Sequence, residues 1–167
     1  RRIGHVGGAR HVTVYAERYR GYREALRDAG IPVEDHWIAR EEMTRRGGER
    51  AFRTLFSRNS VPDAVVCAGD FTALGLLSAA QAAGISIPGE LAVTGFANED
   101  FTSYLDPPLT TVDQRGLTMG KEVARLFLEE ITSGTIPGQP RPVVLEPELL
   151  IRRSSMRIKQ NENQKTT

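Results

Sequence analysis

The chain has 167 residues, with 22 Lys and Arg against 21 Asp and Glu, and a single cysteine. That length suits one domain with a real core, and a net charge of +1 gives no general attraction to nucleic acid or membrane. One cysteine excludes an intramolecular disulfide framework. No apolar run reaches membrane-spanning length and no secretory leader opens the chain, so a reducing cytoplasm is expected.

Residues 3–6 (IGHV) predict a strand closed by Gly7-Gly8. A glycine pair after a strand can present backbone N–H groups to a ligand, but the spacing is not GxGxxG. Arg1-Arg2 runs straight into this strand, which suggests a piece of a longer chain. Residues 14–29 have helical spacing, with Tyr15, Tyr19, Tyr22 and Leu26 on one stripe, and Gly30-Ile31-Pro32 as the stop. Arg18 sits near the start of that helix, and Arg20, Arg23 and Arg27 form its solvated face. Residues 33–39 predict a short edge strand and residues 41–46 a polar loop or helix start. Residues 48–57 predict a helix turning Ala51, Leu55 and Phe52 inward.

Residues 64–96 are the clearest unit. An apolar run at 64–68 suits a strand in the middle of a parallel sheet, and it makes Cys67 a buried thiol. Gly69-Asp70 breaks it, with Asp70 predicted as a helix N-cap. A helix over residues 71–83 stops at Gly84, a loop containing Pro88-Gly89 follows, and residues 91–96 form the next strand. This is a β-α-β unit whose crossover is right-handed. Beyond it come a polar loop at 97–106 and a stiff Pro107-Pro108 turn into a β-rich segment at 109–114. A helix at 117–132 shows Leu117, Gly120, Val123, Ala124, Phe127 and Ile131 on one face. A Gly/Pro loop at 133–142 leads to two short strands at 143–146 and 148–152. The polar tail from Ser154 is expected to be disordered.

Strands alternating with helices give an α/β class: a doubly wound, mostly parallel sheet with helices on both faces. Ligands on such sheets lie beyond the carboxyl ends of the strands. Those ends are at residues 7–12, 39–44, 69–70, 97–100 and around Gln114. Enzyme chemistry finds little support. His5, His11 and His36 lack metal-ligand spacing, and Ser60, Ser78 and Ser86 lack a nucleophile elbow. Asp63, Asp70 and Asp100 lack a phosphate-loop partner. No metal site and no cofactor is expected. A phosphoacceptor domain shares the fold class, but Gly7-Gly8 stand where its acidic pair belongs.

Taken in order, RRIGHVGG, ERYRGYREALRDAGI, GDFTALGLLSAAQAAGISIPGELAVTGF, YLDPPLTTVDQ, MGKEVARLFLEEI and VVLEPELLIRRSS resemble the lactose-repressor/galactose-repressor (LacI/GalR) family of bacterial transcription regulators. The resemblance covers nearly the whole chain to about Ser155. It implies a fold like the periplasmic sugar-binding proteins, two α/β subdomains with ligand in the cleft between them. Residues 1–115 match the C-terminal effector-binding subdomain. Residues 116–134 match a helix that packs on the N-terminal subdomain, residues 135–153 match strands returning to the C-terminal one, and residues 154–167 are tail. A helix-turn-helix DNA reader, its hinge and most of the N-terminal subdomain then lie outside this sequence.

The resemblance also implies site residues. Arg18 matches the arginine that clamps the ligand, against the plainer reading of one more surface arginine. Gln114 matches a glutamine at the subdomain crossover, or else simply ties two backbones together. Met43 stands where an aromatic ring often stacks on the ligand, Gly69 where many members have Asn, and Ala97 where most have an Asp gripping ligand hydroxyls. Asn98 is the neighbouring candidate. The expected function is sensing of a small polar effector, a sugar or related molecule, with operator DNA bound through the helix-turn-helix. A homodimer is expected around the 71–83 helix, with no membrane partner. A transport-type sugar-binding protein of the same fold is the alternative. The apolar face of the 117–132 helix is expected to fold back on its own sheet or to meet another copy.

Overall fold

The structure is a computed structural model, and it describes residues 1–57, 61–133 and 142–157. Four short strands build the main sheet: β1 (Ile3–Gly7), β2 (Ile38–Arg40), β3 (Ala64–Cys67) and β4 (Ala92–Thr94). They run parallel in the order β2-β1-β3-β4. A second pair, β5 (Thr111–Asp113) and β6 (Glu148–Leu150), is antiparallel, and two isolated parallel bridges, Thr94–Thr110 and Ala97–Asp113, lay it beside β4 and the loop that follows. The helices are α1 (Thr13–Asp28), α2 (Arg45–Leu55), α3 (Asp70–Ala82) and α4 (Gly116–Ser133).

The sheet's two faces are covered unequally. One face carries Val6, Ala39, Val65, Cys67 and Val93, all buried, against Ala51 and Leu55 of α2 and Ala73, Leu76 and Ala80 of α3. The helices α2 and α3 cross in very close contact because glycine stands at the crossing on both. A Cβ on Gly75 would lie 1.8 Å from the Arg45 carbonyl oxygen, and one on Gly48 would lie 2.0 Å from that of Thr72. The other face carries His5 under α1, where its ring stacks on Tyr22 with centroids 4.9 Å apart. The Tyr22 hydroxyl donates to the Ile3 carbonyl, which fixes α1 to the start of β1. Burial pushes the Cys67 thiol up, so it stays protonated as an ordinary core residue.

Gly84 ends α3 at φ +77°, the left-handed position that glycine takes without strain. Other expectations shift. Within 33–39 the chain makes a 3-10 turn, Asp35–Trp37, and the edge strand is only β2. The helix expected from 48 begins at Arg45, because Thr44 caps it: the Thr44 hydroxyl accepts the Gly47 N–H at 3.1 Å. Residues 143–146 form no strand, leaving β6 alone to pair with β5.

The polar residues from Ser154 to 157 are ordered into the fold rather than loose. Ser154 is completely buried, donating to the Val93 carbonyl at 2.6 Å and accepting the Thr110 N–H at 2.8 Å. Arg157 donates to the carbonyls of Pro88, Asp63 and Glu90. A hydroxyl suits that depth because two backbone groups there would otherwise lack partners. The rest of the expected tail, and the Gly/Pro loop at 134–141, lie outside the described residues.

Helix α4 does not fold back on its own sheet. Val123, Phe127 and Ile131 remain 63%, 61% and 63% exposed. Its arginine is spent along the helix itself, on Glu122 and Glu129.

Candidate functional site

The carboxyl ends of β1, β3 and β4 converge under the first turns of α1. From there Arg18 reaches across the strand ends. Its guanidinium donates to the Ala68 carbonyl at 2.6 Å and to Gln114 Oε1 at 3.3 Å. The same group lies over the Phe96 ring, its central carbon 3.8 Å from the centroid. Two acceptors and a ring face hold the planar cation in place while its N–H donors outnumber the two bonds it makes. Burial lowers the Arg18 pKa, with Tyr15 and Asp70 acting in the opposite direction. An arginine stays charged under such a shift, so the site presents a fixed, partly desolvated cation.

Met43 and Gly69 meet beside this group. The Met43 methyl lies 3.1 Å from where a Gly69 Cβ would be, and its sulfur accepts a long contact from the Thr72 hydroxyl at 3.7 Å. A side chain at position 69 would therefore displace Met43. Together they form a small apolar wall next to Arg18.

The loop after β4 completes the surface. Ala97 has φ +132° and Asn98 φ +57°, both in the region that disfavours side-chain-bearing residues. The Ala97 N–H donates to Val112 O, so the strained turn is tied to β5. Asn98 is fully engaged within the protein. Its Oδ1 accepts from Arg152 at 2.9 Å, its Nδ2 donates to Asp113 at 3.3 Å, and its N–H donates to the Thr111 hydroxyl. Its side chain is thus part of the scaffold that holds the loop.

Asp70 does not cap the helix. It is the first residue of α3, Gly69 holds the N-cap position, and no side chain caps the helix. The Asp70 carboxylate, 1% exposed, accepts the Thr111 hydroxyl at 2.7 Å and the Glu99 N–H at 2.9 Å. It acts as a lock between α3, β5 and the loop carrying Ala97. Gly95 allows this approach, since a Cβ there would lie 2.1 Å from Asp70 Oδ1. Local spacing suggested a cap, but the partners lie 29 and 41 residues away.

Arg18 and Gln114 are thus brought together, Met43 and Gly69 pack beside them, and Ala97 borders them. Three contributors were invisible in sequence: Phe96, the Ala68 carbonyl and Arg152. Phe96 was legible only as the end of a strand, although a residue there is placed by the strand-end rule itself. Arg152 sits in an Arg-Arg pair that looks surface-bound, yet it donates to Thr102 and to the Leu109 carbonyl. Among the described residues no three or more His, Cys, Asp or Glu side chains gather as a metal site, and no helix is long and apolar enough to cross a membrane.

A parallel sheet with Arg18 and Gln114 gathered at its strand ends, and with the β5–β6 pair beside them, fits a periplasmic binding protein-like domain, and the model of that family matches residues 1–155. Within it, the chain belongs to the LacI/GalR family. It is 36% identical over 155 residues to the HTH-type transcriptional repressor CytR of Escherichia coli K12, covering 93% of this chain and 45% of that one. It is 35% identical over 154 residues to the HTH-type transcriptional regulator CelR of Thermobifida fusca, covering 92% and 45%. The structure of a CelR–cellobiose complex superposes with a TM-score of 0.83 at 35% identity, covering 92% of this chain and 46% of that one. A LacI-family regulatory protein from Chloroflexus aggregans gives a TM-score of 0.84 at 32% identity, covering 93% and 56%. The chain spans about 45% of the length of the repressors it matches.

Proposed function

We propose that this chain is the C-terminal, effector-sensing part of a LacI-type transcription regulator, and that a small polar molecule binds at the surface around Arg18. The observation that carries this is the Arg18 constellation: a stacked, partly desolvated guanidinium at the strand ends, backed by Gln114 and flanked by Met43 and Gly69. Ala97 offers no carboxylate to ligand hydroxyls, and Asn98 is committed to Arg152 and Asp113. The effector is therefore poorer in gripped hydroxyls than a plain hexose, or is held through Arg18 as an anion.

In this reading the exposed face of α4 is covered by an N-terminal subdomain. Operator DNA is read by a helix-turn-helix, and the whole protein works in the cytoplasm. An effector changes DNA affinity only through its differential affinity for the two states. A second copy docks beside α3, where Phe71 is 47% and Tyr104 87% exposed and the Phe71 and Phe101 rings meet at 5.0 Å.

The test is calorimetry of the full protein against a sugar panel, with cellobiose included because the relative CelR binds it. Each sugar is paired with an operator-binding titration. Saturable binding lost in Arg18→Ala, together with a ligand-dependent change in DNA affinity, supports the reading. Tight binding of an unmodified monosaccharide overturns the assignment of Ala97. Ligand binding with no DNA affinity at all favours the transport-type alternative.

A further inference from the structure

A second cleft lies on the other flank of α1, between that helix and the β1–β2 edge. It is about 510 Å³, the size of a small-molecule site, and it is lined by His5, Tyr15, Tyr19, Arg10, Arg23 and Arg40 among others. The helix separates it from Arg18, which points to β3 and β4.

Three features mark it as built for a ligand. First, His5 is 2% exposed, and neither ring nitrogen has a well-formed hydrogen bond, the nearby Val66 backbone making only a weak approach. Buried polar groups are normally well paired, so an imidazole this poorly held beside a cavity asks for something to fill it. Second, two guanidiniums converge on one ring. Arg40 sits 5.4 Å and Arg23 5.9 Å from the Tyr19 centroid. Third, the arginines of this cleft make no ion pair. Arg20, Arg45, Arg50 and Arg125 each pair with a carboxylate, whereas Arg10, Arg23 and Arg40 have none within ion-pairing distance among the described residues. Asp35 also lines the cleft and pairs with none of them.

Three cations against one carboxylate, Asp35, concentrate positive potential in a concave site, and planar guanidiniums suit tetrahedral oxyanions that accept several hydrogen bonds at once. The Tyr15 and Tyr19 rings offer an apolar wall for an organic body. We propose that this cleft binds a small phosphate monoester, with the phosphate among Arg10, Arg23 and Arg40 and the organic part against Tyr19 and His5. A dianion matches the local charge better than a single carboxylate does.

The experiment follows the His5 and Tyr19 side-chain NMR signals of the protein while inorganic phosphate, glucose 6-phosphate or glucose is added at fixed ionic strength. The expected result is a saturable shift at His5 and Tyr19 with phosphate and a tighter one with glucose 6-phosphate, and none with glucose. Arg23→Gln combined with Arg40→Gln, both exposed positions, weakens it at least tenfold. Arg18→Ala leaves it unchanged, so loss of effector binding and loss of this site are told apart. Three results overturn the proposal: no saturable shift, a response that survives the double variant, or shifts confined to Phe96 and Gln114. The last places the anion in the Arg18 site instead.

Discussion

Replacing Asp70 by Asn separates two roles that differ by a few kilocalories. Asn and Asp are about equally good N-caps, so a capping residue would tolerate the change. A lock does not. The Asp70 carboxylate accepts two hydrogen bonds, from the Thr111 hydroxyl and from the Glu99 N–H. Asn has one acceptor oxygen. If its NH2 faces Glu99, two donors meet. If it faces Thr111, that hydroxyl, which accepts the Asn98 N–H, is left with no acceptor for its own proton, because an NH2 group only donates. Either orientation leaves one buried donor unpaired, at about 1–3 kcal/mol. Asp70→Ala strands both donors and costs roughly 2–5 kcal/mol on the same scale. Urea unfolding gives the stabilities, and amide exchange at Glu99 gives the local effect. The lock requires faster exchange at Glu99 in both variants. An Asn variant as stable as the parent within about 0.5 kcal/mol, the usual size of a surface change, would refute it.

Other changes have defined signs. Gly75→Ala forces a methyl to within 1.8 Å of the Arg45 carbonyl, so α2 and α3 must separate; thermal unfolding should show a loss of about 3 kcal/mol or more. Ala97→Gly relieves the φ of +132° at the cost of a more flexible unfolded chain, for a net gain of about 1 kcal/mol by urea titration. His5 has its pKa lowered to about 4, first by burial and then by the Arg40 charge, with the Val66 backbone opposing. The groups packed around it are Tyr19 and Tyr22 of α1 and Arg40 of β2. Since the unfolded chain takes up this proton near pH 6.5 and the folded one does not, stability is intact above 6.5. It falls by about 3 kcal/mol as the pH drops toward 4, and a His5→Phe variant flattens that slope.

The β3–α3–β4 unit was legible because its punctuation is local: an apolar run, a Gly-Asp break, a glycine stop. The sheet class followed from it. What escaped the sequence depended on distance. Asp70 looks like a cap in its own neighbourhood, and only the fold supplies Thr111 and Glu99. Arg18 was legible by its place in the family pattern, but its stacking on Phe96 depends on how β4 ends. The edge strand was drawn too long because Val33 and Ile38 suggest β structure that a 3-10 turn at Asp35 interrupts. Ser154 looks loose in sequence because nothing in a polar run reveals that two backbone groups far upstream await a hydroxyl.

Those Ser154 and Arg157 contacts carry a consequence for how the molecule is made. Ser154 bonds to Val93, 61 residues upstream, and Arg157 to Asp63, 94 residues upstream. The edge of β4 is therefore finished by residues that leave the ribosome after α4, with its apolar face, is already out. Until they arrive, the nascent sheet has an open margin while an oily helix waits beside it. Distant pairings of this kind close slowly. The interval between the emergence of α4 and the docking of Ser154 is when a translating chain is most exposed to misassociation, and where a chaperone would have the most to do.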